Sequence, residues 1–267
     1  ARIVRDAEEA RRAVEDLAKE GSTVIKAYYG LPLGVVREVC NTAREFGIPV
    51  TAHLEVTDAV DAIDAGLDGI EHVTSFGTHL STGQEAESFK QRVLGDKTAR
   101  RVGRYEMWSA FSMDQNPKVD SLINFLANRK TFVTPTLAIF ERRPDKGDSA
   151  EVSGFANMMK FVSAAHKGGV RLVVGSHSYV PYAELGFAYN REMELMHEAG
   201  MSTMDVIVAA TLQNARFFRS EERIGTVAPG KLADLVIVKG DPLADIRAMR
   251  NVRGVMLNGA WVRPLEE

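Results

Sequence analysis

The sequence lacks the features that mark secreted, membrane-spanning or nucleic-acid-binding proteins. It has one cysteine in 267 residues, Cys40, so no intrachain disulfide can form and cysteine usage gives no sign of an oxidising compartment. No run approaches the roughly 18 apolar residues of a membrane-spanning helix, and the first twenty residues are too evenly charged for a signal peptide. A formal charge of −3 gives no reason to expect nucleic acid. We therefore expect a cytoplasmic protein that acts on a small-molecule substrate, without membrane or nucleic-acid partners, and a homo-oligomer is compatible with the sequence.

Helices and short β-rich runs alternate along most of the chain. The composition is 45% hydrophobic and 26% charged, as in ordinary globular proteins, and the length allows one large barrel or two modest domains. Five helix–strand repeats fit a parallel sheet closed as a (β/α) barrel. The predicted strands are 23–29, 48–54, 69–73, 131–137 and 170–175. The predicted helices are 6–19, 35–43, 57–66, 119–128 and 154–166, with two more near 183–199 and 203–218.

A long polar segment, 75–116, interrupts this alternation. It contains helical pieces, at 88–94 and 99–108, and a connection of this length is often a lid over a site. Arg100, Arg101 and Arg104 lie in it and are interpreted as a solvated helix face.

The end of the chain changes character and becomes β-rich. An apolar run at Leu235–Val238 is followed by a hairpin pattern in which Asn258 and Gly259 stand between apolar residues, a strong type I′ turn signal. We therefore predict two domains, a barrel over 1–220 and a β-rich portion over 221–267.

Four side chains that suit a metal site lie at or just after the ends of predicted strands: Lys26, His53, His72 and His177. Strands of a parallel barrel present their C-terminal ends to the active site. A lone histidine there is more often a hydrogen-bonded structural residue, but three on different strands favour a zinc-like metal, since neutral imidazole is a good zinc ligand. His197 is predicted to lie in mid-helix and is not expected to bind metal.

The closing part of the chain is similar to that of a known family. Residues 210–215 (Ala-Thr-Leu-Gln-Asn-Ala) and 224–243, which run from Ile-Gly-Thr-Val-Ala-Pro-Gly-Lys to Gly-Asp-Pro-Leu, follow the closing signature of the amidohydrolase superfamily almost letter for letter. Over nearly its whole length the sequence resembles the imidazolonepropionase-like and Xaa-Pro dipeptidase-like branch. The resemblance implies an α/β fold: a partial TIM-type (β/α)8 barrel with about strands 4 to 8, then a small β-rich tail that belongs to a β-sandwich domain.

The resemblance also implies a set of metal ligands. Lys26 corresponds to the fourth-strand lysine, which in binuclear members is carbamylated and bridges two metals. His53 and His72 correspond to the histidines of the fifth and sixth strands, which bind the second metal. The implied cofactor is a divalent metal, zinc by the nature of these ligands, as one or two ions. The alternative for Lys26 is a lysine that lines the barrel and pairs with a carboxylate.

Two features depart from the family pattern. The family's first strand supplies a His-x-His pair that occurs nowhere in these 267 residues, and the chain starts one helix before the strand that resembles the fourth. We therefore expect the first three barrel strands and half of the sandwich to lie outside this chain. Relatives end the eighth strand in a Gly-Thr-Asp-type motif, whereas this chain has His177 after Gly175 and Ser176. Histidine can bind metal and transfer protons but cannot supply the negative charge of aspartate.

The function that the resemblance implies is metal-dependent hydrolysis of an amide-like C–N bond, in a cyclic amide or a dipeptide, by a metal-activated water. His177 is the predicted catalytic proton carrier and a metal ligand, and Tyr28, Glu55 and Tyr179 are predicted to position the substrate. Because the aspartate is absent, a catalytically impaired barrel that binds a ligand or a partner protein is the alternative. Deamination, lactone hydrolysis and dehydration also remain open, since the fold does not determine the reaction.

Overall fold

The structure, a computed structural model, describes residues 2–264. It divides into two compact units, of which unit 1 is Ala1–Pro135 with Arg142–Arg171 and unit 2 is Thr136–Glu141 with Leu172–Glu267. Ala1 and residues 265–267, the ends of the two predicted domains, lie outside the described residues. Among the described helices, none is both long enough and apolar enough to cross a membrane.

The order of elements follows the predicted alternation. The strands are β1 Ile25–Ala27, β2 Val50–His53, β3 Gly69–Glu71, β4 Phe132–Thr134, β5 Arg171–Leu172, β6 Leu235–Val238, β7 Val252–Leu257 and β8 Ala260–Arg263. The helices are α1 Ala7–Lys19, α2 Leu33–Glu45, α3 Ala59–Asp64, α4 Gly77–Leu80, α5 Gly83–Gly95, α6 Arg100–Ala110, α7 Pro117–Arg129, α8 Leu137–Phe140, α9 Ser149–Lys167, α10 Ala188–Glu198, α11 Thr203–Ala210 and α12 Leu212–Phe217. Two 3₁₀ turns, Val73–Phe76 and Ile246–Arg250, complete the list.

Strands β1 to β5 form one sheet in sequence order. The pairs β1–β2, β2–β3 and β3–β4 are parallel, so the C-terminal ends of these strands lie at the same edge. Every residue of β2 is buried, as expected for a strand of a parallel sheet, both faces of which are covered. These observations confirm the predicted α/β fold with a parallel sheet.

Several elements are shorter than their apolar patterns predicted. β4 ends at Thr134 because Pro135 has no N–H to donate to a neighbouring strand. β5 covers only Arg171–Leu172 of the predicted 170–175, although Val173 and Val174 are buried. The apolar runs thus predicted correctly which residues are buried, but they overestimated the length of the hydrogen-bonded strands.

The segment 75–116 is helical and contributes to the core of unit 1. A capping box starts α5: the backbone N–H of Glu85 bonds the Thr82 hydroxyl, and the Glu85 carboxylate accepts from the backbone N–H of Thr82. Four of its aromatic side chains are buried almost completely: Phe76, Phe89, Tyr105 and Trp108. The predicted helical pieces at 88–94 and 99–108 coincide with α5 and α6, but the segment is less polar than expected, because these large side chains are buried.

A glycine allows α9 to approach α6 closely. A Cβ at Gly154 would lie 2.7 Å from the carbonyl oxygen of Tyr105 and 3.1 Å from its Cα. Both neighbours are backbone atoms that cannot rotate away, so any side chain at position 154 must separate the two helices.

Unit 2 contains a buried network of charges around α10. The Arg191 guanidinium donates to both carboxylate oxygens of Glu141 at 2.9 Å, and further bonds run to Glu194 and Glu198. Glu194 also accepts two bonds from Arg250, at 2.6 and 2.8 Å. Glu141 and Glu194 are buried, and each has an arginine in bidentate geometry, the strongest form of this interaction.

The tail of unit 2 forms a small antiparallel sheet in the order β6-β7-β8. Asn258 (φ 49°) and Gly259 (φ 79°) connect β7 to β8, and positive φ at both central residues is the requirement of a type I′ turn. The predicted β-rich tail and its hairpin are confirmed.

Candidate active site

The ends of three neighbouring parallel strands bring Lys26, His53 and His72 to one edge of the sheet. Lys26 lies in β1, His53 is the last residue of β2, and His72 directly follows β3. The rings of His53 and His72 are nearly perpendicular, with centroids 4.4 Å apart. The two predicted histidine ligands therefore lie side by side.

The orientation of the His53 ring is determined by Glu55. His53 Nε2 lies 2.9 Å from Glu55 Oε1, and both side chains are at most 4% exposed. An ionised carboxylate can only accept this bond, so in a neutral imidazole the proton is on Nε2 and Nδ1 keeps the lone pair that a metal requires. Nδ1 is buried and has no hydrogen-bond partner. Because buried polar atoms are nearly always satisfied, this nitrogen fits the role of a metal ligand.

His72 is positioned by an uncommon backbone conformation. Its φ of 68° lies in the left-handed region, which residues other than glycine seldom adopt. Its backbone N–H donates to the carbonyl oxygen of Thr134 at 2.8 Å. The Ser75 hydroxyl donates to the Glu71 carbonyl and accepts from the Leu54 N–H, which joins the ends of β2 and β3. Such bonds maintain a local strain of the kind found at functional sites.

Lys26 lies beside the carboxylate of Glu71. Lys26 Nζ is 4.0 Å from Glu71 Oε2, and the Thr51 hydroxyl donates to Glu71 at 3.3 Å. Burial raises the pKa of Glu71, while Lys26, Thr51 and His53 act in the opposite direction. This pairing is what the alternative interpretation of Lys26 predicted, and carbamylation of the lysine stays a prediction.

Two tyrosines after β1 line the same edge. The Tyr28 and Tyr29 rings lie 5.2 and 5.6 Å from the His53 ring, measured between centroids. Tyr28 is 53% exposed and can contact a substrate, whereas Glu55 is 2% exposed and bonded to His53. The substrate-positioning roles of Tyr28 and Glu55 stay predictions.

The remaining predicted site residues, His177 and Tyr179, belong to unit 2. Both are exposed and lie in an irregular segment several residues beyond the end of β5. The structure therefore groups Lys26, Tyr28 and His53 with Glu55 and His72 in unit 1, and the roles of His177 and Tyr179 stay predictions.

The residues present fit a metal in part. Within residues 2–264, no three His, Cys, Asp or Glu side chains are grouped as a metal site. His53 and His72 nevertheless place two imidazoles in contact, one of them with an unpartnered buried nitrogen, and Lys26 comes from the adjacent strand. These are the donor types that zinc accepts, with the lysine requiring conversion to a carbamate before it can bind.

The sequence interpretation was wrong for two of the three arginines in α6. Arg100 and Arg104 are half-buried, and only Arg101 is exposed as predicted. The signal was present in the helical spacing, because positions 100 and 104 share a face with Met107 and Trp108, both of which are buried. The arginines therefore lie on the inward side of α6.

Comparisons with known proteins concern the family and the fold. The model of the amidohydrolase family matches residues 2–262. An Xaa-Pro dipeptidase with methionine bound in its active site is 22% identical over 98% of this chain and 59% of that one, with a TM-score of 0.68. An amidohydrolase is 20% identical over 100% of this chain and 60% of that one (TM-score 0.69), and a prolidase complexed with N-methylphosphonate-L-proline is 20% identical over 98% and 60% (TM-score 0.67). A search of curated proteins gave no match.

The structural similarities and the family match support different conclusions. The chain spans about 60% of the length of the solved structures, and at this identity they establish a shared fold. The family match extends over almost every residue, which confirms the superfamily that the closing segment indicated. The chain belongs to the amidohydrolase family.

Proposed function

We propose that this chain forms part of a metal-dependent hydrolase that cleaves an amide-type C–N bond, in a cyclic amide or a dipeptide. The observation that carries the proposal is the contact between His53 and His72 at adjacent strand ends, with His53 Nδ1 buried and unpartnered. Membership of the amidohydrolase family supports the reaction class. The dipeptidase and prolidase among the similar folds favour a dipeptide substrate.

The proposal also matches the strands of this chain to those of a complete barrel and a β-sandwich. Strands β1 to β5 would be strands four to eight of a (β/α)8 barrel, and β6 to β8 part of a β-sandwich domain. The boundary between residues 220 and 221 belongs to this proposal.

The proposal gives a role to each residue of the candidate site. His53 and His72, with Lys26 as its carbamate, would hold one or two divalent ions, zinc by ligand type. A bound zinc lowers the pKa of water from about 16 toward about 7 and polarises a carbonyl group. Glu55 fixes the His53 ring through Nε2, and Tyr28 contacts the substrate.

His177 and Tyr179 keep the roles that the sequence predicted. His177 would carry a proton to the leaving nitrogen, and Tyr179 would help to position the substrate. The histidine that replaces the family aspartate also favours a second candidate, a barrel that binds ligand without turnover. For the first candidate, we propose that the enzyme is soluble and cytoplasmic and that its substrate is a small molecule.

Metal content tests the proposal directly. We expect the purified full-length protein to contain zinc-like metal, and His53→Ala to weaken metal affinity by about 10- to 100-fold, as for loss of groups that support a metal site. Elemental analysis and competition with a chromophoric chelator measure this. His79→Gln, which alters a histidine paired with Asp58 outside the cluster, is the control. Unchanged affinity in both His53→Ala and His72→Ala would refute the metal site. Metal binding without hydrolysis of any amide, lactone or dipeptide would select the second candidate.

Lys26 gives a further prediction. If its carbamate is a metal ligand, Lys26→Ala should weaken metal affinity at least about tenfold, and short-chain carboxylic acids should restore part of it by replacing the lost carboxylate. The measurement is metal stoichiometry with and without propionate. Lys97→Ala, an exposed lysine in the same unit, serves as control. Wild-type affinity in Lys26→Ala would mean that Lys26 only pairs with Glu71.

A further inference from the structure

Two arginines of α6 face the candidate site. Arg100 is the first residue of α6 and Arg104 follows one turn later, so both side chains lie on one face of the helix. Arg104 Nε donates to the carbonyl oxygen of Arg100 at 2.9 Å. The Arg100 guanidinium lies over the Tyr29 ring after β1, and Arg104 is within electrostatic range of Glu55 after β2.

Arg100 stacks on a tyrosine that touches the site. Its guanidinium carbon lies 4.8 Å from the centre of the Tyr29 ring, whose centroid is 5.6 Å from that of His53. Arg100 Nε is buried and has no hydrogen-bond partner. Since an unsatisfied charged donor is costly to bury, this nitrogen marks a place where an acceptor from outside the protein would be stabilised.

Arg104 lies among other charged groups. Burial lowers the pKa of Arg104, the Glu55 carboxylate acts in the opposite direction, and the neighbouring Arg100 and Arg142 lower it further. An anion bound between Arg100 and Arg104 would weaken the repulsion between the two guanidinium groups.

The helix α6, which carries these two arginines, packs against residues that follow β1 and β2. Tyr29 and Val56, which follow β1 and β2, contact a buried cluster formed by Phe89, Val93 and Met107 of α5 and α6. Because this packing determines where α6 lies, Arg100 and Arg104 are held in place instead of moving freely in solvent.

We propose that Arg100 and Arg104 bind a free carboxylate of the substrate, so that the enzyme selects N-acyl amino acids and dipeptides over neutral amides. The planar guanidinium suits this task because it can donate two parallel bonds to one carboxylate. The identity of the substrate in this inference rests on the proposed function. The negative charge of the substrate is inferred from the two arginines alone.

The test compares acids with their neutral amides. Binding of N-acetyl-L-proline and N-acetyl-L-methionine, and of the corresponding carboxamides, is measured by calorimetry on the metal-loaded full-length protein. We expect the wild type to bind at least one acid about 10- to 100-fold more tightly than its amide, the range for a charge-assisted pair. Arg100→Gln should reduce that preference to about threefold or less, and Arg104→Gln should reduce it partly.

A matched variant separates the site from general charge. Arg101→Gln removes the same charge from the exposed face of the same helix and should keep the full preference for the acid. Thermal melting of each variant verifies folding, and Arg100→Lys, which keeps the charge without the planar fork, should be intermediate. The inference is overturned if the wild type shows no preference in either pair, or if Arg100→Gln and Arg101→Gln behave alike. Acid preference without turnover would instead count against the proposed hydrolysis while supporting this subsite.

Discussion

Replacing His177 with alanine is expected to lower kcat by about two to four orders of magnitude, the range for removing a general acid or base. The reason is that a leaving amine needs a proton, and the chain has His177 where relatives have a metal-binding aspartate. Its side chain is exposed, so the substitution should leave the stability of unit 2 nearly unchanged. The measurement is kcat on the best substrate, with thermal melting of the same samples.

Two companion variants make this result decisive. His197→Gln alters another exposed histidine of unit 2, in α10, and should retain wild-type kcat. His177→Asp restores the carboxylate that relatives carry. If the wild type is inactive and His177→Asp hydrolyses an amide, this position explains a lost activity. Equal kcat for the wild type and His177→Ala would show that the proton moves through another group.

Arg191→Met is expected to destabilise the protein by about 3–5 kcal/mol, the cost of removing one partner from a buried ion pair. Glu141, which is 3% exposed, would lose the two bonds that it accepts from the Arg191 guanidinium. Glu194 would keep its bonds to Arg250. Urea denaturation, with the free energy of unfolding extrapolated to water, measures the loss.

The surrounding charges provide the controls. Arg247→Met breaks an exposed pair with Asp245 and should leave the free energy of unfolding nearly unchanged. Adding Glu141→Leu to Arg191→Met should recover part of the loss, because the buried carboxylate that Arg191 binds is then gone. If Arg191→Met were as stable as Arg247→Met, the pair with Glu141 would contribute little to stability.

Periodicity predicted the order of elements because alternation of helix and strand follows from local patterns of apolar residues. The turn at Asn258 and Gly259 was equally predictable, since positive φ at both residues is a local property. The end of β4 and the irregular conformation of residues 173–177 were not predicted, because strand length depends on which neighbours remain available for hydrogen bonds.

The candidate site was also predictable from the sequence only in part. His53 and His72 could be placed together from sequence because the ends of parallel strands converge. Glu55 as the partner of His53, and Glu71 as the partner of Lys26, depend on side-chain rotamers that the sequence does not specify. The inward direction of Arg100 required knowing that the helical face ending in Trp108 is the buried one.

The absence of a side chain at Gly154 has a consequence for substrate selection. Its closest neighbour in α6 is the backbone of Tyr105, the residue that directly follows Arg104. Adding one methyl group at position 154 would force α6 and α9 apart, and a displacement of α6 would carry the two guanidinium groups with it. If these groups form the proposed carboxylate subsite, the spacing between α6 and α9 sets the distance of that subsite from the strand ends, and a substitution that touches no substrate would alter the preferred ligand length.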